Sequence, residues 1–275
     1  MFFIDPVYLV CVLIPVLIIS FAAQMYLNST YNKWSKIRNS SNLTGTQIGK
    51  RLLAIPSMGG ASYATLHTPE LDKLEGLRDQ GIITGEEFEA KKEQVYASGA
   101  GAYETDIRIA QTSGVLTDNY DPRNRTLNLS QPVARQPSVV SMAVTAHETG
   151  HAQQHMEGSF LIKVRGALVP AIRFSPIVSY ICILLGVLFN ITGLLYLGIL
   201  FFGLMVLFAL ITLPIELDAS KRGLKLLREG NLIQSSSDEQ GSKQVLRAAA
   251  LTYVAAAITA ILQLFYYIGI ARRRS

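Results

Sequence analysis

Residues 174–213 run for 40 positions without a formal charge. As a single helix they would measure about 60 Å, twice the roughly 30 Å of hydrocarbon in a bilayer. Asn190-Ile191-Thr192-Gly193 supplies turn-forming residues near the middle,. The run therefore predicts a helical hairpin that enters and leaves a membrane from one side. Residues 6–27 and 248–271 are also free of charge, and each can cross as a helix,. A cleaved leader would need a basic start and a small-residue cleavage site. The first five residues carry only Asp5 and no such site follows, so the first span is expected to remain as an anchor,. Composition agrees: 49% hydrophobic and 16% charged residues are too apolar a mix for a typical soluble domain,. Cys11 and Cys182 both lie inside apolar runs, so no disulfide framework is expected,.

The net charge of +5 is modest, and its basic residues gather beside the spans. That points to a membrane surface and away from nucleic acid. Residues 28–51 hold Lys33, Lys36, Arg38, Lys50 and Arg51 and no acid. Lys163, Arg165 and Arg173 precede the hairpin, and Lys221, Arg222, Lys225 and Arg228 follow it. Under the positive-inside rule these loops are cytoplasmic, which places the C-terminal Arg272, Arg273 and Arg274 outside, against the rule. The larger basic set decides the expected orientation.

Chemistry concentrates in one stretch. Of four histidines, His147, His151 and His155 fall within residues 147–155, and the fourth is His67. His147-Glu148-Thr149-Gly150-His151 spells HExxH after an apolar run, Val139–Ala146. On a helix His147 and His151 share a face one turn apart, the spacing at which two imidazoles hold one zinc ion. Glu148 lies about a third of a turn away, placed to take a proton from a zinc-activated water. The pattern also occurs in soluble proteins that bind no metal. The scarcity of histidine and the apolar setting favour the metal here.

A third ligand has to come from elsewhere. Glu216 and Asp218 leave the apolar hairpin in Leu213-Pro214-Ile215-Glu216-Leu217-Asp218-Ala219-Ser220. Catalytic zinc often takes two histidines and a glutamate, so Glu216 is the first choice. Asp218 is then a candidate to orient a histidine through its second ring nitrogen. His155 is the rival ligand, but three successive turns of one helix present their rings along a line roughly 12 Å long, not around a tetrahedron. A third histidine of metzincin spacing would stand at position 157, which is Glu157,.

The remainder organises around that motif. Thr44 to Leu53 reads as a capped short helix. Residues 56–69 and 97–101 read as small-residue linkers. Between them, Leu71, Leu74 and Leu77 mark one helix face, Gly81 ends it, and Thr84 with Glu87 forms a capping box for a second helix reaching Val95,. Residues 71–95 resemble the short SHOCT module, which implies a candidate protein-contact surface; a plain solvated hairpin remains the alternative. Residues 106–109 and 126–129 alternate as strands, with 116–123 as a turn between them. Two strands ahead of an HExxH helix fit a zincin, in which an edge strand binds extended peptide. Asp118 and Asp121 are turn residues or, alternatively, metal or substrate residues. Tyr120 and His155 are candidate oxyanion donors.

Five stretches carry a wider resemblance: LTDNYDPR at 116–123, AHETGHAQQHMEG at 146–158, RGALVP at 165–170, LPIELDAS at 213–220 and AAALTYVAAA at 248–257. Through them the chain resembles a bacterial family of multi-pass membrane neutral zinc metallopeptidases. More distantly it is similar to membrane gluzincins, whose third ligand opens a Glu-x-x-Ala-Asp pattern. That pattern maps onto Glu216 with Ala219 matching and Ser220 in place of the aspartate, which leaves Asp218 as a substitute.

The expected molecule is mainly α, a multi-pass helical membrane protein with a zincin-like domain and a small β element. Its expected parts are a first span at 6–27, a catalytic region at 28–58 and 103–173, and an inserted linker and SHOCT-like hairpin at 59–102. A spanning hairpin follows at 174–213, then a third-ligand helix and loop at 214–245 and a last span at 246–271. The expected function is a zinc-dependent endopeptidase with one Zn2+ on His147, His151 and Glu216 and Glu148 as general base. It would act on a peptide or membrane-protein substrate from the cytoplasmic face of a bacterial plasma membrane. The alternative is an inactive membrane scaffold or assembly factor with a structural zinc site. A transporter is disfavoured, because Glu216 and Arg247, at span edges, are the ionisable residues nearest the spans,.

Overall fold

Charge-free runs of this length can satisfy their backbone in lipid only by forming helices, and long helices dominate the molecule. The computed structural model describes residues 6–58, 69–98 and 107–274. Helix α1 (Ile14–Trp34) continues from a turn at Pro6–Tyr8 and a π-helical stretch at Leu9–Leu13. Helices α2 (Gly45–Leu53), α3 (Pro69–Asp79) and α4 (Gly85–Ser98) follow. Next come strands β1 (Arg108–Thr112), β2 (Asn119–Asp121) and β3 (Thr126–Ser130), then α5 (Gln131–Arg135) and α6 (Val139–Met156). The chain closes with α7 (Phe160–Leu188), α8 (Thr192–Glu229) and α9 (Ser236–Arg272). Four helices, starting at Pro6, Phe160, Thr192 and Ser236, are long and apolar enough to cross a membrane. The chain divides into two compact units.

The first unit takes the described residues of Met1–Trp34, Gly158–Asp218 and Lys243–Ser275. It contains the expected hairpin: α7 ends at Leu188, Asn190 turns with φ 57°, and α8 starts at Thr192. Helix α7 begins well ahead of the charge-free run and carries Lys163, Arg165 and Arg173 in its opening turns. Small residues let α7 and α8 touch. A Cβ on Gly186 would stand 2.6 Å from the Leu195 nitrogen. Ser179 Oγ donates to the Gly198 carbonyl at 2.9 Å. Lipid gives helices no hydrophobic reason to meet, so close backbone packing takes its place. Ile183, Val187, Leu195, Ile270 and Ala271 form a buried cluster flanked by Tyr266 and Tyr267.

Arg274 gives the arginines that run against the positive-inside rule a structural task. Its Nη1 donates to the Val187 carbonyl at 2.7 Å and to Asn190 Oδ1 at 3.2 Å. A cation there meets the negative end of α7. The C-terminus and the hairpin turn therefore share one end of this unit.

The second unit takes the described residues of Ser35–Glu157 and Ala219–Ser242. Thr44 and Gln47 close a capping box on α2: Gln47 N donates to Thr44 Oγ1 at 3.3 Å, and Thr44 N to Gln47 Oε1 at 2.9 Å. Helix α2 buries Ile48 and Leu52 completely. The α3–α4 hairpin turns at Gly81, φ 68°, and Thr84 N donates to Glu87 Oε2 at 2.9 Å in the second capping box.

The sheet corrects one expectation. The segment 116–123 is more than a turn, because Asn119–Asp121 pairs antiparallel with β3 through Tyr120↔Leu127. Strand β1 pairs parallel with β3, so the order is β1-β3-β2 and β2 is an edge. Asp118 fixes this arrangement: it accepts from Ser130 N at 2.7 Å and from Ser130 Oγ at 2.9 Å. Burial pushes its carboxyl above the ordinary aspartate range, against those hydrogen bonds,. Asp121 accepts from Arg123 N at 2.9 Å, which holds its carboxyl low. Asp121 thus serves the turn after β2, while Asp118 ties the approach to that strand to the end of β3. Asp106 lies outside the described residues.

Helix α6 meets the last part of α8 at glycine. A Cβ on Gly150 would lie 2.3 Å from the Ala219 carbonyl oxygen, and one on Gly223 would lie 2.6 Å from that of Ala146. Both obstacles are backbone, so neither yields by a side-chain rotation. Gly150→Ala is therefore expected to destabilise the protein by roughly 3 kcal/mol, the upper range for overpacking, despite the higher helix propensity of alanine. A thermal midpoint unchanged from wild type in detergent would show that the helices are not in this contact.

Candidate metal centre

Helix α6 starts where Ser138 Oγ accepts from Ser141 N at 3.0 Å, leaving an unbroken helix to Met156. Val139, Val140, Met142, Ala143 and Ala146 are all buried, which fixes the rotation of the helix. That rotation brings the rings of His147 and His151 together with centroids 4.7 Å apart and planes at 83°. Glu148, on the next position, is buried at 8% exposure.

Glu216 stands on α8 three residues ahead of Ala219, the residue that Gly150 meets. The ligand atoms of His147, His151 and Glu216 all lie within 4.8 Å of one another. Donors about 2.1 Å from a tetrahedral ion stand roughly 3.4 Å apart, so closing this set onto zinc takes shifts of about an ångström. Two neutral imidazoles and one carboxylate are a zinc donor set. Glu216 is only 3% exposed, and such a buried carboxylate needs a counter-charge,. Arg165 supplies one, with Nη1 3.6 Å from Glu216 Oε1.

The histidines are oriented from behind. His151 Nδ1 lies 3.0 Å from Gln154 Oε1, and Gln154 is 1% exposed. An amide oxygen only accepts, so Nδ1 carries the hydrogen and Nε2 keeps its lone pair for a metal. His147 Nδ1 lies 3.1 Å from Ser220 Oγ. Ser220 thus holds the ring from the position at which similar gluzincins carry an aspartate, a role considered above for Asp218. A hydroxyl can donate or accept, so it constrains the ring less than a carboxylate would.

His155, the rival ligand, has its Nδ1 3.0 Å from Tyr120 Oη. Among the described residues the cluster of possible donors holds His147, His151 and Glu216 and not His155. His67 lies outside the described residues. Sequence reasoning missed Gln154, Ser220 and Arg165. Gln154 alone left a local signal, its i+3 spacing from His151.

Comparison with known proteins agrees with this chemistry. A family model described as "Putative neutral zinc metallopeptidase" matches residues 9–60 and 80–272. "Putative membrane protease YugP" of Bacillus subtilis (strain 168) is 32% identical over 252 residues, covering 92% of this chain and 91% of that protein. No solved structure matches the chain.

Proposed function

This chain belongs to the family described as "Putative neutral zinc metallopeptidase", and on that premise we propose that it is a membrane-bound zinc endopeptidase. The observation that carries the reading is the convergence of three donors, His147, His151 and Glu216, within 4.8 Å beside the buried Glu148. A zinc ion held by those donors supplies Lewis acidity, which acidifies water and polarises a carbonyl. Gln154 and Ser220 hold the two imidazoles in register. Glu148 takes a proton from the attacking water and delivers it to the leaving amine. A donor set of three among the described residues supports a catalytic site over the scaffold alternative, because closed structural sites use four protein ligands,.

The substrate is a peptide segment of a membrane or membrane-associated protein, consistent with the four apolar helices and with the membrane protease named among the relatives. Edge strand β2 offers a backbone for an extended substrate to pair with. The basic loops support a cytoplasmic placement of the catalytic region in this reading.

The test uses the full chain in lipid. One zinc per chain is expected, a quenched-fluorescence peptide mixture should be cleaved, chelation should reduce cleavage to background, and added zinc should restore it. Metal-replete protein that cleaves nothing in the mixture, or cleavage indifferent to chelation, would overturn the reading.

A further inference from the structure

We propose that the Tyr120–His155 pair is a catalytic hydrogen-bond donor to the oxygen that becomes negative when the scissile carbonyl is attacked. The inference rests on the peptidase reading. It starts from a count of hydrogens. A tyrosine hydroxyl and a neutral imidazole bring two polar hydrogens, and the 3.0 Å bond between Tyr120 Oη and His155 Nδ1 uses one,. If the hydroxyl donates, His155 Nε2–H remains. If Nδ1 donates, the Tyr120 O–H remains. Either tautomer leaves one hydrogen on the pair for a third partner.

The place of the pair suits that partner. His155 follows His151 by one helical turn, a spacing that puts their Cβ atoms about 6 Å apart on neighbouring parts of one face. Tyr120 is the middle residue of β2, one of the two edge strands of the sheet and the one proposed above to pair with an extended substrate. Strand and helix thus bring one donor from each side to the end of α6 that follows the metal ligands. The rings stand 5.7 Å apart at 51°, so the contact is an edge meeting through polar atoms and not a stack. Burial raises the Tyr120 hydroxyl above its ordinary range, which keeps its hydrogen in place at neutral pH,.

The step balances. Water oxygen forms a bond to the carbonyl carbon, its proton goes to Glu148, and the carbonyl π pair moves onto oxygen. The Tyr120–His155 donor stabilises that charge until the C–N bond breaks, the pair returns to the carbonyl, and Glu148 gives its proton to the leaving nitrogen. Donors aimed at such an oxygen are worth about 10²–10³ in kcat.

The experiment compares zinc-loaded full-length wild type with Tyr120→Phe, His155→Leu and the double variant. Cleavage of the peptide mixture, zinc content, thermal midpoint and the affinity of a phosphinic pseudopeptide are measured for each. Both single variants should keep one zinc, the midpoint, and KM within about twofold, while kcat and phosphinate affinity fall together by about 10²-fold or more. The double variant should be little worse than either single one, since the pair acts as a unit. An active wild type whose variants retain kcat overturns the proposal. So does a midpoint that falls in step with kcat, which would mark the pair as a structural tie between β2 and α6. An inactive, zinc-loaded wild type overturns the peptidase reading itself.

Discussion

Glu148→Gln is expected to bind one zinc per chain and to lower kcat by about 10³-fold, within the range for loss of a positioned general base. The amide has the size and shape of the carboxylate it replaces, so helix α6 should fold unchanged. Glutamine donates and accepts hydrogen bonds but does not take a proton at neutral pH. Loss should therefore fall on kcat, with KM nearly constant. Burial sharpens the expectation: at 8% exposure, the Glu148 position offers bulk water little access to stand in as base. Zinc content, the thermal midpoint and steady-state cleavage separate the outcomes. Retained cleavage with retained zinc would remove Glu148 from the chemistry and assign the proton transfer to another group.

Much of this arrangement was legible because it is local or periodic. His147 and His151 declare a shared face by spacing alone, and the hairpin declares itself by length and by Asn190 at its turn. The capping boxes at Thr44 and Thr84 are written in four residues each. What escaped depends on which distant segments meet. Ser220 reaches His147 across 73 positions of sequence because Gly150 and Gly223 let two backbones approach. Neither glycine signals this by itself, since a helix glycine is also a common tolerated weakness. Strand β2 escaped for a related reason. Three residues are too few to show alternation, and Asn119 and Asp121 have low strand propensity. Pairing with β3 and the Asp118–Ser130 bonds override that preference.

Glu216→Ala is expected to weaken zinc binding by well over the 10–100-fold typical of losing an outer hydrogen-bond partner, because a direct donor disappears. Two effects act together. The site loses its single negative charge among the three donors, and Arg165, 3.6 Å from that carboxylate, keeps its positive one. A cation approaching two neutral imidazoles would then meet an uncompensated guanidinium. The folded state should suffer less than the metal site, since the Arg165 side chain is 35% exposed and can turn to water. Zinc per chain, measured by elemental analysis after dialysis, should fall from one toward zero while the thermal midpoint matches that of chelated wild type. The double variant Arg165→Ala with Glu216→Ala distinguishes the two effects. It removes the repulsion but restores no donor, so zinc should stay absent. Recovery of zinc in the double variant would mean that charge, not coordination, explains the single one. Stoichiometric zinc in Glu216→Ala itself would show that the third ligand lies elsewhere.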